Sequence, residues 1–272
     1  RTISAVQAKE FERQGTRLIA PDEPLWGLDV HTTLLRLSRV TERPHLPYRA
    51  YLYHDRDPNA AALADGRVYV SSGMLDNLAQ RGSREDELAF VLAHELAHTV
   101  AQHLVKRYQT LARQQLLMSL VSAGAAIAQT AGGVSPAAGQ LAADVASLLN
   151  DLTVSGYSQD QELEADQLGV RYMRRAGYTP QAALGFLQDF TRFDTPWPFF
   201  RTHPYVATRL DNLRRYLGEL EWQERPAAAT ATPDATQARL RHLRRIQRQY
   251  PAGSVSWRNL ERQIETLERA SP

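Results

Sequence analysis

The chain has no cysteine. Disulfide staples and thiolate metal sites are therefore excluded, and any metal must be held by histidine and carboxylate. A lack of cysteine suits any compartment and is comfortable in an oxidising one. Lysine occurs only at Lys9 and Lys106, so arginine carries nearly all the positive charge. The formal net charge of +2 supports no attraction to nucleic acid or to an acidic membrane. The arginines at 239, 241, 244, 245 and 248 accordingly read as a solvated helix face, not a nucleic-acid site. Long hydrophobic runs are missing too. From Leu116 to Asn150 only Asp144 is charged, yet Leu116 to Ala131 is close to the minimum span and holds Ser119, Ser122 and Gln129. Leu141 to Leu149 is too short to cross a bilayer. We expect two apolar helices packed over the rest of the protein as a mobile lid, with membrane insertion as the alternative.

What is present is enough chain for one sizeable core and an appendage, 272 residues in all. The stretch that carries chemistry is Glu85 to His98, which contains H-E-x-x-H. Leu88, Val91, Leu92, Leu96 and Val100 recur at helical spacing, and no proline or glycine interrupts residues 84–107. Acidic residues crowd its start, while Lys106 and Arg107 stand near its end, as the helix dipole prefers. On a helix His94 and His98 face the same way one turn apart, so both can ligate one zinc ion. Glu95 lies beside them as general base for a zinc-bound water. The alternative is a helix with two surface histidines.

The rest reads as mostly helical with a small sheet, an α+β protein. A short polar helix covers 4–16, and a core-facing helix runs from Leu25 to Val40. Tyr48 to His54 and Arg67 to Ser71 read as strands, separated by turn chemistry from Asp55 to Gly66. They form either a structural hairpin or an edge on which Val68, Tyr69 and Val70 align an extended substrate. Further helices are expected at 159–176, 181–192 and 208–220, with an aromatic, proline-rich loop from Pro196 to Pro204 between the last two. Residues 224–237 have linker composition, and 238–272 follow as a two-helix extension to a 1–223 main domain. The start at Arg1 reads as a processed chain.

A catalytic zinc takes three protein ligands and keeps a position open. The spacing H-E-x-x-H-x-x-G-x-x-H fails, because residue 101 is Ala and residue 104 is Leu. His103 falls about 140° round a straight helix from His98, which points to a polar or structural role. A carboxylate from a later helix is the remaining route. The segment around Glu162 is the best source, with Asp166 one turn further on the same face.

Here H-E-L-A-H followed by E-L-E-A-D-Q-L-G resembles the zinc endopeptidase family that includes HtpX, BepA and the CAAX prenyl endopeptidases, of gluzincin type. Asn59-Ala60, Gly66 before Val68-Tyr69-Val70, Glu87-Leu88 and the spacing of His203-Pro204 to Arg209 match as well. The resemblance covers roughly residues 30 to 220. It implies a zincin-type fold with one zinc per chain. It makes Glu162 the third ligand, with Asp166 orienting a zinc-bound imidazole and Glu164 pointing away. His203 would lie near the metal or assist the transition state, and Arg209 would hold the aspartate or the loop. It implies cleavage of misfolded or unassembled envelope proteins in the bacterial periplasm or at the outer membrane, with an N-terminal anchor removed before Arg1. A chaperone-like binder of unfolded chains and a self-inhibited protease are the alternatives. The chain departs from the family's membrane members in lacking long apolar spans, and from BepA in lacking a full helical-repeat domain.

Overall fold

A computed structural model describes residues 2–13, 15–80, 85–110, 113, 156–190, 198–224, 233–250, 252–253 and 255–269. The apolar segment 116–149, read as a lid, lies outside them, as do the first residues of the 196–204 loop.

Helix α4, Glu85–Val100, is the axis of the main body. Every residue from Leu88 to Thr99 is buried, so this helix is surrounded on all sides, its apolar faces by the core and its His94, Glu95 and His98 by the polar groups described below. It is covered by α2 (Val30–Ser38), by α5 (Gln159–Arg175), by α6 (Ala182–Phe190) and by the sheet. Each fully buried Leu, Val or Phe here contributes about 1.5–3 kcal/mol.

Helix α2 starts later than the apolar pattern suggests. Leu25 and Leu28 exchange backbone hydrogen bonds at 2.9 Å, with Trp26 and Gly27 at positive φ between them. They therefore form a tight turn, and the helix begins after Asp29, whose carboxylate accepts from Thr32 N–H (2.9 Å). The turn hides Leu25 and Leu28 as well as a helix would, which is why the apolar spacing misleads.

Four strands form one sheet in the order β1-β2-β4-β3: β1 Thr16–Leu18, β2 Arg49–Tyr53, β3 Ala60–Ala62 and β4 Arg67–Ser71. Strands β2 and β4 are parallel, so they are not a hairpin. The antiparallel hairpin is β3-β4, closed by Asp65-Gly66 and by the Arg67–Asp65 ion pair (2.8 Å). This corrects one expectation. Val68, Tyr69 and Val70 lie on an interior strand whose backbone is paired on both sides, so they cannot receive a substrate as an added strand. The edge beside β4 is β3, three alanines with none of the bulky residues that mark a strand in sequence, and the other edge is β1. A further helix, α3 at Ser72–Gln80, stands between the sheet and α4 in the chain; the first, α1, covers Thr2–Glu12.

Helix α5 carries the second acidic motif. Ser158 caps it in a capping box with Gln161. Gly177 at φ +78° ends it in a Schellman motif, with Tyr178 N–H on Met173 O and Gly177 N–H on Arg174 O. Its Gly169 lies against α4: a Cβ there would be 3.2 Å from the His94 nitrogen. A side chain at 169 would hold the two motif helices apart.

Beyond α6 come the short α7 (Pro198–Thr202) and the long α8 (Val206–Glu224). The chain packs as two compact units, Arg1–Arg215 and Tyr216–Pro272, so the division falls within α8 and not at 223–224. In the second unit, α9 (Pro233–Gln247) and α10 (Val255–Arg269) share a core of Leu240, Leu243, Ile246, Tyr250, Leu260 and Ile264. Tyr250 Oη donates to Glu219 near the end of α8 (3.1 Å), which ties that end to the pair.

Candidate active site

Helix α4 presents His94, Glu95 and His98, and α5 presents Glu162 and Asp166. The turn after α7 brings His203, and α8 brings Arg209. All seven side chains are buried.

Four donor atoms converge. His94 Nε2 is 3.1 Å from His98 Nε2 and 3.2 Å from His203 Nδ1. The Glu162 carboxylate is 3.4 Å from His94 Nε2, 3.4 Å from His98 Nε2 and 3.1 Å from His203 Nδ1. In a tetrahedral zinc site with bonds of about 2.0–2.1 Å, neighbouring donors stand about 3.3–3.4 Å apart. The separations of 3.1–3.4 Å, in which Glu162 meets His94 through Oε2 and His98 and His203 through Oε1, come close to those edges. One ligand atom from each of His94, His98, Glu162 and His203 lies within 4.8 Å of every other. Their nitrogens and oxygens meet at one spot, where a cation would take up several lone pairs at once.

The surrounding groups prepare these donors. Asp166 Oδ1 is 2.9 Å from His94 Nδ1, which assigns the proton to Nδ1 and leaves Nε2 free. Arg209 is fully buried and grips Asp166 bidentately, with Nε and one Nη each 2.8 Å from a carboxylate oxygen. Its other Nη is 2.8 Å from Glu162 Oε2 and donates to the His203 carbonyl (3.0 Å). One guanidinium thus joins the candidate ligand Glu162, the orienting Asp166 and the His203 turn. Glu95 points its Oε2 at the Ala62 N–H (2.9 Å) and its Oε1 at His203 Nε2 (3.3 Å).

Three carboxyl groups against one guanidinium leave the pocket short of positive charge. Burial opposes a charged His94 and Arg209 repels it, yet Glu162 and Asp166 outweigh both and raise it to about 9, so a cation bound at Nε2 would displace the second proton and leave the one on Nδ1. Burial drives His98 well below the ordinary histidine range, which keeps it neutral and able to ligate. Burial also raises Glu95 above the ordinary glutamate value. Glu162 and Asp166 are buried too, but the Arg209 charge holds both below the usual carboxylate range.

Sequence reasoning missed two participants and gave a third only an unspecified polar or structural role. Tyr157 stacks on His98 with centroids 4.0 Å apart and planes at 27°; a lone aromatic outside any periodic run gave no signal. The Ala62 N–H that meets Glu95 is backbone. His103 reaches His98 although a straight helix would separate them.

The sequence profile described as Peptidase family M48 matches residues 25–217. The "Beta-barrel assembly-enhancing protease" of Yersinia pestis is 28% identical over 81% of this chain and 44% of its own length. The "Mitochondrial metalloendopeptidase OMA1" of Schizosaccharomyces pombe is 29% identical over 70% of this chain and 55% of its own. The "Metalloprotease YcaL" of Escherichia coli is 29% identical over 78% of this chain and 81% of its own. The chain thus spans less than half the length of the beta-barrel assembly-enhancing proteases it matches.

Proposed function

The chain belongs to peptidase family M48, and from that premise we propose that it is a zinc-dependent endopeptidase holding one zinc through His94, His98 and Glu162. The observation that carries the metal site is the tetrahedral spacing of the converging donors. Zinc, when bound, polarises a peptide carbonyl and lowers the pKa of a water toward neutrality. Glu95 takes the proton from the attacking water and returns it to the leaving amine. Asp166 and Arg209 hold His94 and Glu162 in register.

Strand β3 is the substrate guide in this reading. Asn59 O and Leu63 N–H are taken by β4, so by alternation Ala60 and Ala62 turn their backbone groups to the free edge. The Ala62 N–H already meets Glu95, which puts that edge beside the base. A peptide added there runs past Glu95.

Two of the relatives are named for enhancing β-barrel assembly. We take the clients to be misfolded or unassembled envelope proteins, met in the bacterial periplasm or at the outer membrane. Among the described residues no helix is long and apolar enough to cross a membrane.

The test is zinc content together with casein cleavage. The parent holds one zinc and cleaves, while Glu162→Ala loses zinc on dialysis and cleaves nothing. A Glu162→Ala protein that kept its zinc and its activity would overturn the assignment.

A second reading, self-inhibition, is favoured by His203. Its Nδ1 stands among the donors at 3.2 Å from His94 Nε2 and 3.1 Å from Glu162, where it would serve as a fourth ligand to a bound ion. A working site keeps one position open. His203 therefore withdraws before a substrate carbonyl enters. We expect His203→Ala to raise casein cleavage several-fold. A fall would instead make His203 a donor to the developing oxyanion.

A further inference from the structure

The two candidate histidine ligands of α4 are oriented by different means. His94 has a carboxylate directly on its Nδ1. On the far side of the site, His98 has another imidazole. His98 Nδ1 is 2.9 Å from His103 Nδ1, and His103 Nε2 is 3.3 Å from Glu164 Oε2. His98 and His103 are buried, while the Glu164 side chain is 29% exposed.

A local break in the helix makes this contact. Helix α4 ends at Val100, residues 101–102 form a turn with Gln102 at φ +57°, and helical structure resumes at 103. On an unbroken helix His103 would lie about 140° away from His98. The turn brings it round until the two rings meet, 4.9 Å between centroids and nearly perpendicular.

With both rings neutral, two nitrogens 2.9 Å apart share one proton, and there are two ways to place it. If His103 Nδ1 carries it, then His98 must be protonated on Nε2, facing His94 Nε2 and Glu162, and it cannot ligate. In that arrangement the His103 Nε2 lone pair also faces the Glu164 carboxylate, an acceptor against an acceptor. If His98 Nδ1 carries it, every group is matched. His98 donates to His103 Nδ1, His103 Nε2–H donates to Glu164, and His98 Nε2 is left free to bind the ion. Glu164 selects the second arrangement.

We propose that His103 and Glu164 are a positioning pair for the metal site. Glu164 sets the tautomer of His103, and His103 sets the tautomer and ring orientation of His98, with Tyr157 holding the other face of the ring. The inference rests on the zinc-site reading above. It gives the second Glu of E-L-E-A-D a task that its outward direction conceals, and it gives the break at Gln102 a purpose.

The test compares zinc affinity, by competition with a chelator, and the melting temperature of the zinc-free protein, for the parent and three variants. His103→Leu removes the acceptor and weakens zinc by roughly 10–100-fold, the usual loss when a partner of a metal-bound histidine is removed. His103→Asn puts an amide oxygen close to the place of Nδ1 and recovers most of that affinity. Glu164→Ala, a change at the partly exposed end, weakens zinc by a smaller factor in the same direction. Parent-like affinity in His103→Leu would overturn the proposal. So would His103→Asn as weak as His103→Leu while all zinc-free forms melt with the parent, since ring volume would then be the cause. Should His103→Leu fail to fold, Glu164→Ala decides, and unchanged affinity there overturns the pair. A parent that binds no zinc overturns the metal site itself, an outcome distinct from a tight parent with unaffected variants.

Discussion

Glu95→Gln retains its zinc and loses casein cleavage by roughly 10²- to 10⁴-fold, the span expected when a positioned general base is removed. Gln keeps the shape of the side chain, and its amide oxygen can still accept from Ala62 N–H, so the fold around β3 and α4 is preserved. What it loses is the ability to take a proton. Burial sets the pH dependence: the Glu95 pKa is raised above 4.5. A raised pKa means that the base is already protonated, and idle, at a pH where an exposed glutamate is still charged. In the parent, kcat/KM therefore falls as pH drops through a value above the ordinary glutamate range. Full activity in Glu95→Gln, measured on protein whose zinc content matches the parent, would sink the mechanism.

Arg209→Leu lowers stability by about 3–5 kcal/mol, the cost of removing one partner from a buried ion pair. For a unit of this size that is a melting-temperature drop of about 10 °C. The cost comes from Asp166 and Glu162, whose buried carboxylates are left facing each other and the imidazoles without their cation. The His203 turn loses its tether as well. The sign with pH follows from the depressed pKa values of Asp166 and Glu162. A depressed carboxylate contributes stability that is present above its unfolded pKa and lost as pH falls through the folded one. The gap between parent and Arg209→Leu is thus widest near neutrality and closes in acid, where protonation removes the uncompensated charge. Zinc replaces part of the missing positive charge, so the zinc-loaded variant recovers some of the loss. A variant melting within about 2 °C of the parent at pH 7 would show that the guanidinium does not hold the site together.

Several features could be read from the order of residues because they depend on helical repeat alone. His94, Glu95 and His98 share one face through their spacing, and Glu162 and Asp166 share another. The helix expected at 159–176 is α5, whose ends are set by the local capping chemistry of Ser158 and Gly177. Where reading failed, the cause was a partner distant in sequence. Ala60–Ala62 has no strand signature and becomes a strand because β4 offers it a ladder, which in turn buries Val68 to Val70. Leu25 and Leu28 carry helical spacing but close a turn, because Trp26 and Gly27 take positive φ.

The composition and the two motifs by themselves determined which atoms are available: no thiolate, two imidazoles one turn apart, a base beside them and a downstream acidic pair. Tertiary structure decided what those atoms face. Gly169 lets α5 close on α4, and Arg209 then joins Glu162, Asp166 and the His203 turn. The break at Gln102 turns His103 back onto His98. Helical repeat is a local property that spacing reports. Convergence of four donors on one point depends on where separate helices cross and where one of them bends, and those are set by packing between residues that no local spacing relates.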